Sequence, residues 1–249
     1  MRAMILAAGL GTRLRPRTDS VPKALTPVAG RPLIEYPLRF LRAQGIRQVV
    51  INVHHLGEQI QATLGDGRAL GIEIFYSREE SLLDTGGGIK HAQALLGGGR
   101  FVVINGDTIM DLDLAAVSDF HARKGAAVSL VLRRDPEAGR FGVIETDDDG
   151  RVRRFLGIPS KGTQTPPSKP LAPCMFTGLQ IMEPEVFAFM PPGGAFSTTR
   201  DTCPRMLAAA RPLFGFIHDG PWIAVDDPAG LSRADEMIRS GRMKLTYLG

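Results

Sequence analysis

The residues best suited to chemistry lie close to the start of the chain. An apolar run at residues 3–8 leads directly into Gly9-Leu10-Gly11-Thr12-Arg13, and Pro22-Lys23 follows a short distance later. Glycine lets the backbone approach a ligand closely, and its N–H groups can donate hydrogen bonds to anionic oxygens. The cations of Arg13 and Lys23 would neutralise the charge of those oxygens. The segment therefore predicts a site for the phosphates of a nucleotide.

This glycine loop matches neither of two well-known phosphate-binding patterns. A P-loop needs Gly-Lys-Ser/Thr at a fixed spacing, which the segment lacks. The dinucleotide-binding fingerprint needs a third glycine where Leu14 stands, and no acidic residue ends the next predicted strand. For the glycine pair alone, a tight strand-to-helix turn with incidental surface cations remains the alternative.

The elements that must position this loop alternate between strands and helices. Apolar runs predict strands at residues 4–8, 48–53, 72–76 and 101–105, and periodic segments predict helices at 33–43, 58–64 and 88–96. Such alternation favours an α/β fold with a mixed, mostly parallel central sheet flanked by helices. Because ligands bind beyond the carboxyl ends of parallel strands, residues 9–11, 77–88 and 105–107 should converge on one cleft.

The second half of the chain has a different pattern. Strands are predicted at residues 126–133, 141–146, 151–155, 176–182 and 213–217, and helices at 200–210 and 229–240. Asp147-Asp148-Asp149-Gly150 predicts a hairpin turn, and the proline-rich stretch 159–173 predicts an extended loop. We therefore expect a single α/β domain over residues 1–249, with an antiparallel second half that faces the substrate.

Composition and charge limit the possible partners. The net charge of +4 would permit nucleic-acid binding, but the basic residues are scattered and aromatic residues make up only 6%. A small anionic substrate accounts for the positive charge equally well, so we expect no nucleic-acid partner. Cys174 and Cys203 are too few for a disulfide framework, which favours a cytoplasmic protein. No apolar segment is long enough to predict a membrane span.

Several motifs resemble one known family. Leu6-Ala7-Ala8-Gly9-Leu10-Gly11-Thr12-Arg13-Leu14-Arg15-Pro16, with Pro22-Lys23-Ala24-Leu25 after it, resembles the signature of the sugar-1-phosphate nucleotidyltransferases. The likeness continues in Leu83-Asp84-Thr85-Gly86-Gly87-Gly88 and Asn105-Gly106-Asp107, and is weaker in Gly142-Val143-Ile144 and Phe176-Thr177-Gly178. It implies a Rossmann-like, GT-A-like fold. It also implies transfer of a nucleotidyl group from a nucleoside triphosphate to a sugar 1-phosphate, with release of pyrophosphate.

The resemblance implies roles for the residues that match. Those that would bind the nucleotide are Leu6, Ala8, Gly9, Gly11, Thr12, Arg13, Glu79, Thr85 and Gly86, and those that would bind the sugar phosphate are Gly142, Thr177 and Gly178. Residues 1–125 would form the nucleotide-binding half and residues 126–249 the sugar-phosphate-binding half.

The resemblance implies three catalytic residues. Arg13 would bind the leaving pyrophosphate, Lys23 would contact the α-phosphate or the sugar phosphate, and Asp107 would bind Mg²⁺. Without the family context, an aspartate after a strand is usually a turn former or a helix cap. In the same context, the Glu79 carboxylate would accept hydrogen bonds from the base, with guanine favoured slightly because it offers two adjacent donors.

The sequence departs from the family pattern at the second metal ligand. Members commonly carry Trp-x-Asp-Val-Gly-Thr, whereas this chain has Trp222-Ile223-Ala224-Val225-Asp226-Asp227, with Ala224 at the aspartate position. A two-residue offset on a strand keeps a side chain on the same face but moves it by roughly 7 Å. Asp226 would therefore replace the missing ligand only if the strand shifts or bulges. Otherwise Mg²⁺ would rely on Asp107, phosphates and water.

A second departure concerns the acceptor. Members often carry Phe-x-Glu-Lys-Pro, whose lysine contacts the sugar phosphate, and here Phe155-Leu156-Gly157-Ile158-Pro159 places Ile158 at that position. Lys161 and Lys169 on the following loop are the candidates to replace it, although loop lysines are more often simply solvated.

These observations predict a Mg²⁺-dependent nucleotidyltransferase that acts on a nucleoside triphosphate and a sugar 1-phosphate. The first choice of substrates is GTP with mannose 1-phosphate. The alternatives are uridylyl or guanylyl transfer to N-acetylmuramate or heptose 1-phosphate, transfer to a non-sugar phosphate such as phosphocholine, and a non-catalytic nucleotide-sugar sensor on the same fold. We expect a monomer or small homo-oligomer.

Overall fold

The computed structural model describes residues 1–135, 138, 142–161 and 170–248. Its first half alternates strands with helices, as the sequence predicts. The strands are β1 (Arg2–Leu6), β2 (Pro27–Val28), β3 (Arg31–Pro32), β4 (Gln48–Val53), β5 (Glu73–Arg78), β6 (Phe101–Asn105) and β7 (Thr108–Met110). The helices are α1 (Glu35–Ala43), α2 (Gly57–Leu64), α3 (Asp84–His91), α4 (Gln93–Leu96) and α5 (Leu114–Lys124). Short 3₁₀ turns lie at Thr12–Leu14, Arg17–Asp19, Lys23–Leu25 and Arg68–Leu70.

The second half is richer in strands. They are β8 (Val128–Arg133), β9 (Ile144–Thr146), β10 (Val152–Phe155), β11 (Ile158–Pro159), β12 (Ala172–Met182), β13 (Leu213–Ile217) and β14 (Trp222–Ala224). The helices are α6 (Cys203–Ala208) and α7 (Pro228–Arg239), with a π-helical turn at Thr198–Thr202 and 3₁₀ segments at Pro184–Phe189 and Thr246–Leu248. Within the part of the chain that the structure describes, no helix has the length and apolarity needed to cross a membrane.

A single large sheet connects the two halves. Its strand order is β11-β10-β9-β12-β6-β1-β4-β5, and β8 and β13 extend it beside β12. Strands β6, β1, β4 and β5 are parallel neighbours, whereas β12 runs antiparallel to β6, β8 and β9. This arrangement confirms the predicted α/β fold with a mixed sheet that is parallel at its centre. The long antiparallel strand β12 is where the second half joins the first.

The core lies on both faces of the central strands. Successive side chains of a strand point to opposite faces, so neighbouring residues of β1 enter different layers. Ile5 packs with residues of α1, α2 and α5, whereas Met4 packs with residues of α3, α4 and α6. Both side chains are fully buried. The near-continuous apolar runs of the sequence therefore reflect strands that are covered by helices on both sides.

The carboxyl ends of the parallel strands meet at one edge of the sheet. In the strand register, Leu6 lies beside Asn52 on one side and Asn105 on the other, and Asn52 lies beside Ser77. The predicted convergence of the three loops that follow these strands is therefore confirmed. This edge carries the site described below.

Helix α3 begins earlier than predicted and contains three consecutive glycines. It starts at Asp84 and ends at His91, before the separate short helix α4. A Cβ atom on Gly86 would lie 2.5 Å from the Phe196 ring, and one on Gly87 would lie 2.6 Å from the Gly194 carbonyl oxygen. Close tertiary packing, and not a turn, therefore requires these glycines.

Several other boundaries differ from the predictions. Strand β1 spans Arg2–Leu6 in place of residues 4–8, and β5 spans Glu73–Arg78 in place of 72–76. The predicted helix at 200–210 is a π-helical turn followed by α6, the predicted strand at 126–133 begins at Val128, and β12 begins at Ala172 in place of residue 176. Phe141 and most of the predicted loop at 159–173, including Lys169, lie outside the described residues. The short antiparallel pair β7–β14 has no counterpart in the predictions.

Candidate functional site

Two adjoining cavities occupy the carboxyl edge of the sheet. The first, of about 230 Å³, is lined by Leu6, Ala7, Gly9, Gly11, Thr12, Arg13, Lys23, Ala24, Gly106, Asp107 and Asp226. The second, of about 430 Å³, is lined by Leu6, Ala8, Gly9, Asn52, Glu79, Leu82, Asp84, Thr85, Asn105, Asp107 and Ala195. Because Leu6, Gly9 and Asp107 belong to both linings, the two cavities form one continuous cleft.

The glycine loop bounds the first cavity. Gly11 has a left-handed φ of +64°, which glycine adopts without strain. A Cβ atom there would lie 3.0 Å from both the Lys23 Cβ atom and the Thr18 Cγ2 atom, so the loop is packed against this lysine. The Thr18 hydroxyl also donates to the Gly11 carbonyl oxygen at 2.9 Å. By contrast, no heavy atom lies within 4 Å of the Cβ position of Gly9, which leaves that side of the loop open.

Two cations and two carboxylates meet in this cavity. The Lys23 Nζ atom lies 2.5 Å from Asp107 Oδ2 and 3.4 Å from Asp226 Oδ1. The Arg13 guanidinium lies 3.1 Å from the same Asp226 oxygen. We call these four side chains the charge cluster. The structure thus brings together the three residues predicted to be catalytic, although they come from three separate segments.

The pairing of β14 with β7 places Asp226 near Asp107. Strand β14 spans Trp222–Ala224, and its antiparallel register sets Ala224 opposite Thr108. The Val225 N–H donates to the Asp107 carbonyl oxygen at 2.9 Å, which fixes the two segments together. Asp227 instead caps α7 by accepting from the Gly230 N–H at 2.7 Å. Asp107 and Asp226 both reach the Lys23 ammonium group, and the role of Asp226 as a metal ligand remains a prediction.

The two carboxylates have the chemistry that a magnesium ion prefers. Asp107 and Asp226 are 27% and 25% exposed, so their oxygens are accessible from the cleft. Among the described residues, no group of three or more His, Cys, Asp or Glu side chains could enclose a metal by itself. Mg²⁺ usually takes one or two carboxylates and completes its shell with substrate phosphates and water. The residues present therefore fit a Mg²⁺ ion that shares its ligands with a nucleotide, and its binding here remains a prediction.

Glu79 is enclosed on the wall of the second cavity. It is only 3% exposed, and its Oε1 atom accepts from the Asn52 side chain at 2.7 Å. Its Oε2 atom accepts from the Leu83 N–H at 3.1 Å, and the Asn52 Oδ1 atom accepts from the Ala7 N–H at 2.8 Å. This chain of hydrogen bonds links the ends of β1, β4 and β5 to the loop before α3. Glu79 therefore holds that loop, and its contact with a base remains a prediction.

The start of α3 is clamped by a segment from the second half of the chain. Asp84 has a left-handed φ of +59°, and its carboxylate accepts from the Arg200 guanidinium at 2.7 Å. The Thr85 hydroxyl accepts from the Thr198 N–H at 2.9 Å, and the Gly86 N–H donates to the Phe196 carbonyl oxygen at 2.9 Å. The predicted nucleotide residues Thr85 and Gly86 are thus positioned by residues about one hundred positions away.

Sequence reasoning missed several residues of the second cavity. Asn52 gave a usable signal, because it is a polar residue near the end of an apolar strand, as Asn105 is. Ala195 and Arg200 gave no such signal. They approach the site only through the packing of residues 194–202 against α3.

The predicted sugar-phosphate residues lie among protein atoms and line neither cavity. Thr177 is 1% exposed and its hydroxyl donates to the Val131 carbonyl oxygen at 2.8 Å. Its own carbonyl oxygen accepts from the Trp222 Nε1–H group at 2.8 Å. Gly178 has a φ of +96°, and a Cβ atom there would lie 2.7 Å from the Thr108 hydroxyl oxygen. Their role towards a sugar phosphate remains a prediction.

The remaining acceptor-side positions lie on the exposed edge of the sheet. Gly142 has a φ of +90° and packs close to the Leu156 side chain. Ile158, which stands where the family has lysine, is 43% exposed on β11. Lys161 is exposed just beyond this strand, and its backbone N–H donates to the Leu207 carbonyl oxygen at 3.3 Å. Ile158 therefore supplies no positive charge at this position.

Known proteins resemble this chain along most of its length. A family model described as nucleotidyl transferase matches residues 2–240. The N-acetylmuramate alpha-1-phosphate uridylyltransferase of Caulobacter vibrioides is 37% identical over 246 residues, covering 95% of this chain and 96% of that protein. The mannose-1-phosphate guanylyltransferase of Mycobacterium tuberculosis is 34% identical over 239 residues, covering 95% of this chain. This chain spans 64% of the length of the mycobacterial protein.

A solved structure shares the fold. A putative glucose-1-phosphate thymidylyltransferase from Bacillus anthracis, solved in complex with a sucrose, has a TM-score of 0.79 and 24% sequence identity to this chain. The match covers 100% of this chain and 99% of that one. This likeness shows that the sheet order and helix layers described above are those of a known architecture.

Proposed function

Because this chain belongs to the nucleotidyl transferase family, we propose that it transfers a nucleotidyl group from a nucleoside triphosphate to a sugar 1-phosphate. The observation that carries this proposal is the charge cluster beside the open glycine loop. Arg13 and Lys23 supply the cations that a polyphosphate needs, and Asp107 and Asp226 supply oxygen ligands for a cation bound to it. The reaction releases pyrophosphate.

The residues act mainly by positioning and neutralising charge. A phosphate oxygen of the sugar 1-phosphate forms a bond to the α-phosphorus, and the bond from that phosphorus to the bridging oxygen of the β-phosphate breaks. The attacking atom is already an oxyanion, so no side chain has to remove a proton from it. The backbone N–H groups around Gly9 and Gly11 bind the phosphates. Arg13 stabilises the departing pyrophosphate, and Lys23 stabilises charge at the α-phosphate.

Asp107 and Asp226 would hold the divalent cation. When bound, Mg²⁺ polarises the phosphoryl oxygens and offsets their charge. The backbone hydrogen bond between Val225 and Asp107 keeps the two carboxylates close together, so this pair needs no large rearrangement to bind an ion.

For the specific substrates, we propose UTP and N-acetylmuramate 1-phosphate as the first candidate. The Caulobacter relative of that name matches over nearly the whole length of both chains. The second candidate is GTP with mannose 1-phosphate, the choice favoured by the sequence. It is supported by the mycobacterial relative, which is longer than this chain. Cys174 and Cys203 are buried and form no disulfide with each other, which fits the cytoplasmic location expected for such an enzyme.

A non-catalytic nucleotide-sugar sensor is the competing function. Ile158 favours it, because this exposed apolar side chain replaces the cation expected to contact the acceptor. The sensor would retain nucleotide binding, which depends on the first half of the chain.

A substrate panel tests these proposals. Pyrophosphate release is measured with UTP, GTP and dTTP, each paired with N-acetylmuramate, mannose or glucose 1-phosphate or with phosphocholine, in the presence of Mg²⁺. We expect UTP with N-acetylmuramate 1-phosphate to give the highest kcat/KM. Release only with phosphocholine would contradict the sugar-phosphate proposal. Tight binding of a nucleotide without release for any pair would favour the sensor.

A further inference from the structure

We propose that Lys23 is an internal counter-ion that holds Asp107 and Asp226 and opposes divalent-cation binding until nucleotide phosphates arrive. The proposal rests on the proposed function, because it concerns how the same site is loaded. It makes nucleotide and cation binding mutually favourable, which couples two steps that the reaction requires together.

The distances show that one ammonium group serves both carboxylates. The Lys23 Nζ atom lies within hydrogen-bonding range of Asp107 Oδ2, at 2.5 Å, and of Asp226 Oδ1, at 3.4 Å. Hydrogen bonds between ionised groups are stronger than those between neutral groups. A divalent cation that takes either oxygen as a ligand must therefore displace this ammonium group or share the oxygen with it.

Burial makes this competition stronger than it would be in open water. The Lys23 side chain is only 14% exposed, whereas the Arg13 side chain is 67% exposed. Attraction between charges increases when water is excluded, and partly buried pairs are screened little by salt. Lys23 is therefore the cation that controls the two carboxylates, and Arg13 is secondary.

The balance of charge explains why a bound nucleotide would make the two carboxylates available to a cation. The charge cluster contains two positive and two negative groups, so it is neutral before any ligand binds. A divalent cation alone would leave a net charge of +2 in a small cavity. A triphosphate supplies compensating negative charge and offers the Lys23 ammonium group a new partner. The nucleotide thus removes the opposition that the lysine creates.

The local structure lets the ammonium group move while its stem stays in place. The Lys23 Cβ atom lies against the glycine loop, 3.0 Å from the Cβ position of Gly11. The aliphatic chain beyond it is flexible, with several rotatable bonds. The carboxylates are held independently by the Val225–Asp107 backbone bond and by the β7–β14 pairing. Removing the ammonium group should therefore free the two carboxylates without dispersing them.

Direct binding of Mn²⁺ tests the proposal without any turnover. The free Mn²⁺ concentration is followed by electron paramagnetic resonance in the full chain, first without nucleotide, for wild type and Lys23→Met. We expect Lys23→Met to bind Mn²⁺ at least tenfold more tightly than wild type. The Lys23→Arg variant, which keeps the positive charge, should stay within about threefold of wild type. The double variant Lys23→Met/Asp107→Asn should not show this increase in Mn²⁺ affinity, which would locate the ion at this site.

The second arm adds a non-hydrolysable nucleoside triphosphate analogue. We expect the analogue to tighten Mn²⁺ binding to wild type and to reduce the difference between wild type and Lys23→Met. Unchanged Mn²⁺ affinity in Lys23→Met without nucleotide would overturn the proposal. If circular dichroism shows that Lys23→Met is unfolded, Lys23→Gln replaces it, and an unchanged Mn²⁺ affinity in that variant would likewise overturn the proposal. Failure of every substrate pair to react would contradict the proposed function but would leave this binding result intact.

Discussion

On the predicted nucleotide side of the cleft, the charged residues that match the family line a cavity, whereas on the predicted acceptor side the matching residues face other parts of the protein. Arg13, Lys23 and Asp107 line that cavity, and their charged groups form ion pairs within the charge cluster. Thr177 and Gly178 are instead packed against neighbouring strands and loops. A match to the family pattern thus describes two different structural situations.

This difference shows which residues serve ligand binding and which serve the stability of the fold. A side chain that faces a cleft is available to a ligand, and its loss removes few contacts from the folded protein. A buried polar group or a glycine in a crowded position contributes to the fold, and its loss is costly whatever ligand binds. We therefore expect substitutions of the cleft-facing residues to lower activity at constant stability, and those of the packed residues to lower stability first.

The largest expected effect is on activity, from Asp107→Asn. Loss of the carboxylate charge removes the proposed cation ligand and should lower kcat by about 10³-fold, equivalent to roughly 4 kcal/mol of transition-state stabilisation. The free energy of unfolding should change by less than about 1 kcal/mol, because the lost ion pair is partly exposed. Pyrophosphate release and urea unfolding measure the two effects. Asp149→Asn, at an aspartate that is 86% exposed, is the matched control and should retain full activity.

A pair of glycine substitutions compares the two sides directly. Gly178→Ala should lower the free energy of unfolding by about 2–3 kcal/mol, because its φ of +96° is strained for alanine and the new Cβ atom would meet Thr108. Gly9→Ala should leave stability unchanged, since nothing lies within 4 Å of its Cβ position, and should raise the KM for the nucleotide. Urea unfolding and steady-state kinetics on both variants provide the comparison. An equal loss of unfolding free energy in Gly178→Ala and Gly9→Ala would contradict the difference between the two sides.

Glu79 sharpens the comparison because it is an enclosed residue on the nucleotide side. Glu79→Gln places an amide donor opposite the Asn52 side chain or the Leu83 N–H, so we expect a loss of about 1–3 kcal/mol in unfolding free energy. The ratio of kcat/KM for UTP and GTP should remain within about threefold of wild type. The neighbouring Glu80→Gln, at an exposed position, should change neither quantity. A large change in the nucleotide ratio with intact stability would instead assign Glu79 to direct contact with the base.

The smallest expected effect is a pH dependence of stability that arises away from the cleft. Burial lowers the pKa of His121 from its ordinary value of 6.5. The hydrogen bond to Glu183 raises this pKa in part, and the nearby Arg100 lowers it further. The unfolded chain therefore takes up a proton below pH 6.5 that the folded chain resists, so stability falls as the pH drops through this range. At pH 5.5 the loss should be at most about 1.4 kcal/mol.

Urea unfolding at pH 7.5 and pH 5.5 measures this effect. A His121→Gln variant should be less stable at pH 7.5 but should show a smaller difference between the two pH values. Asp235 does not interfere, because its hydrogen bonds with Arg239 and Ala29 lower its pKa below the ordinary 3.8, outside this window. An identical pH difference in wild type and variant would exclude His121 as the source.

The sequence predicted the limits of three strands correctly but not the closing of the site. Strands β4, β6 and β13 have the predicted limits, because each is an apolar run bounded by polar, proline or glycine residues. The position of Asp226 was harder to predict, because it depends on the pairing of β14 with β7. Local pattern defines a strand in the core, but a short strand at the rim depends on its partner.

The local sequence pattern also could not predict that Glu79 is enclosed or that the glycines of α3 are helical. Glycine disfavours helices, so the predicted helix began at residue 88, yet close contact with Phe196 and Gly194 determines the conformation here. Burial of a carboxylate likewise depends on donors from Asn52 and Leu83, which only the folded chain brings near. In both cases a tertiary contact overrides an intrinsic preference.

The pairing of β14 with β7 has a consequence for the order in which the protein is made. Lys23 can meet Asp107 once 84 further residues have been synthesised, but Asp226 follows Lys23 by 203 residues. A growing chain on the ribosome therefore carries the glycine loop and one carboxylate long before it carries the second. During that interval the incomplete pocket lacks the segment that completes its charge balance. The charge cluster is thus completed late in translation, after β14 has emerged.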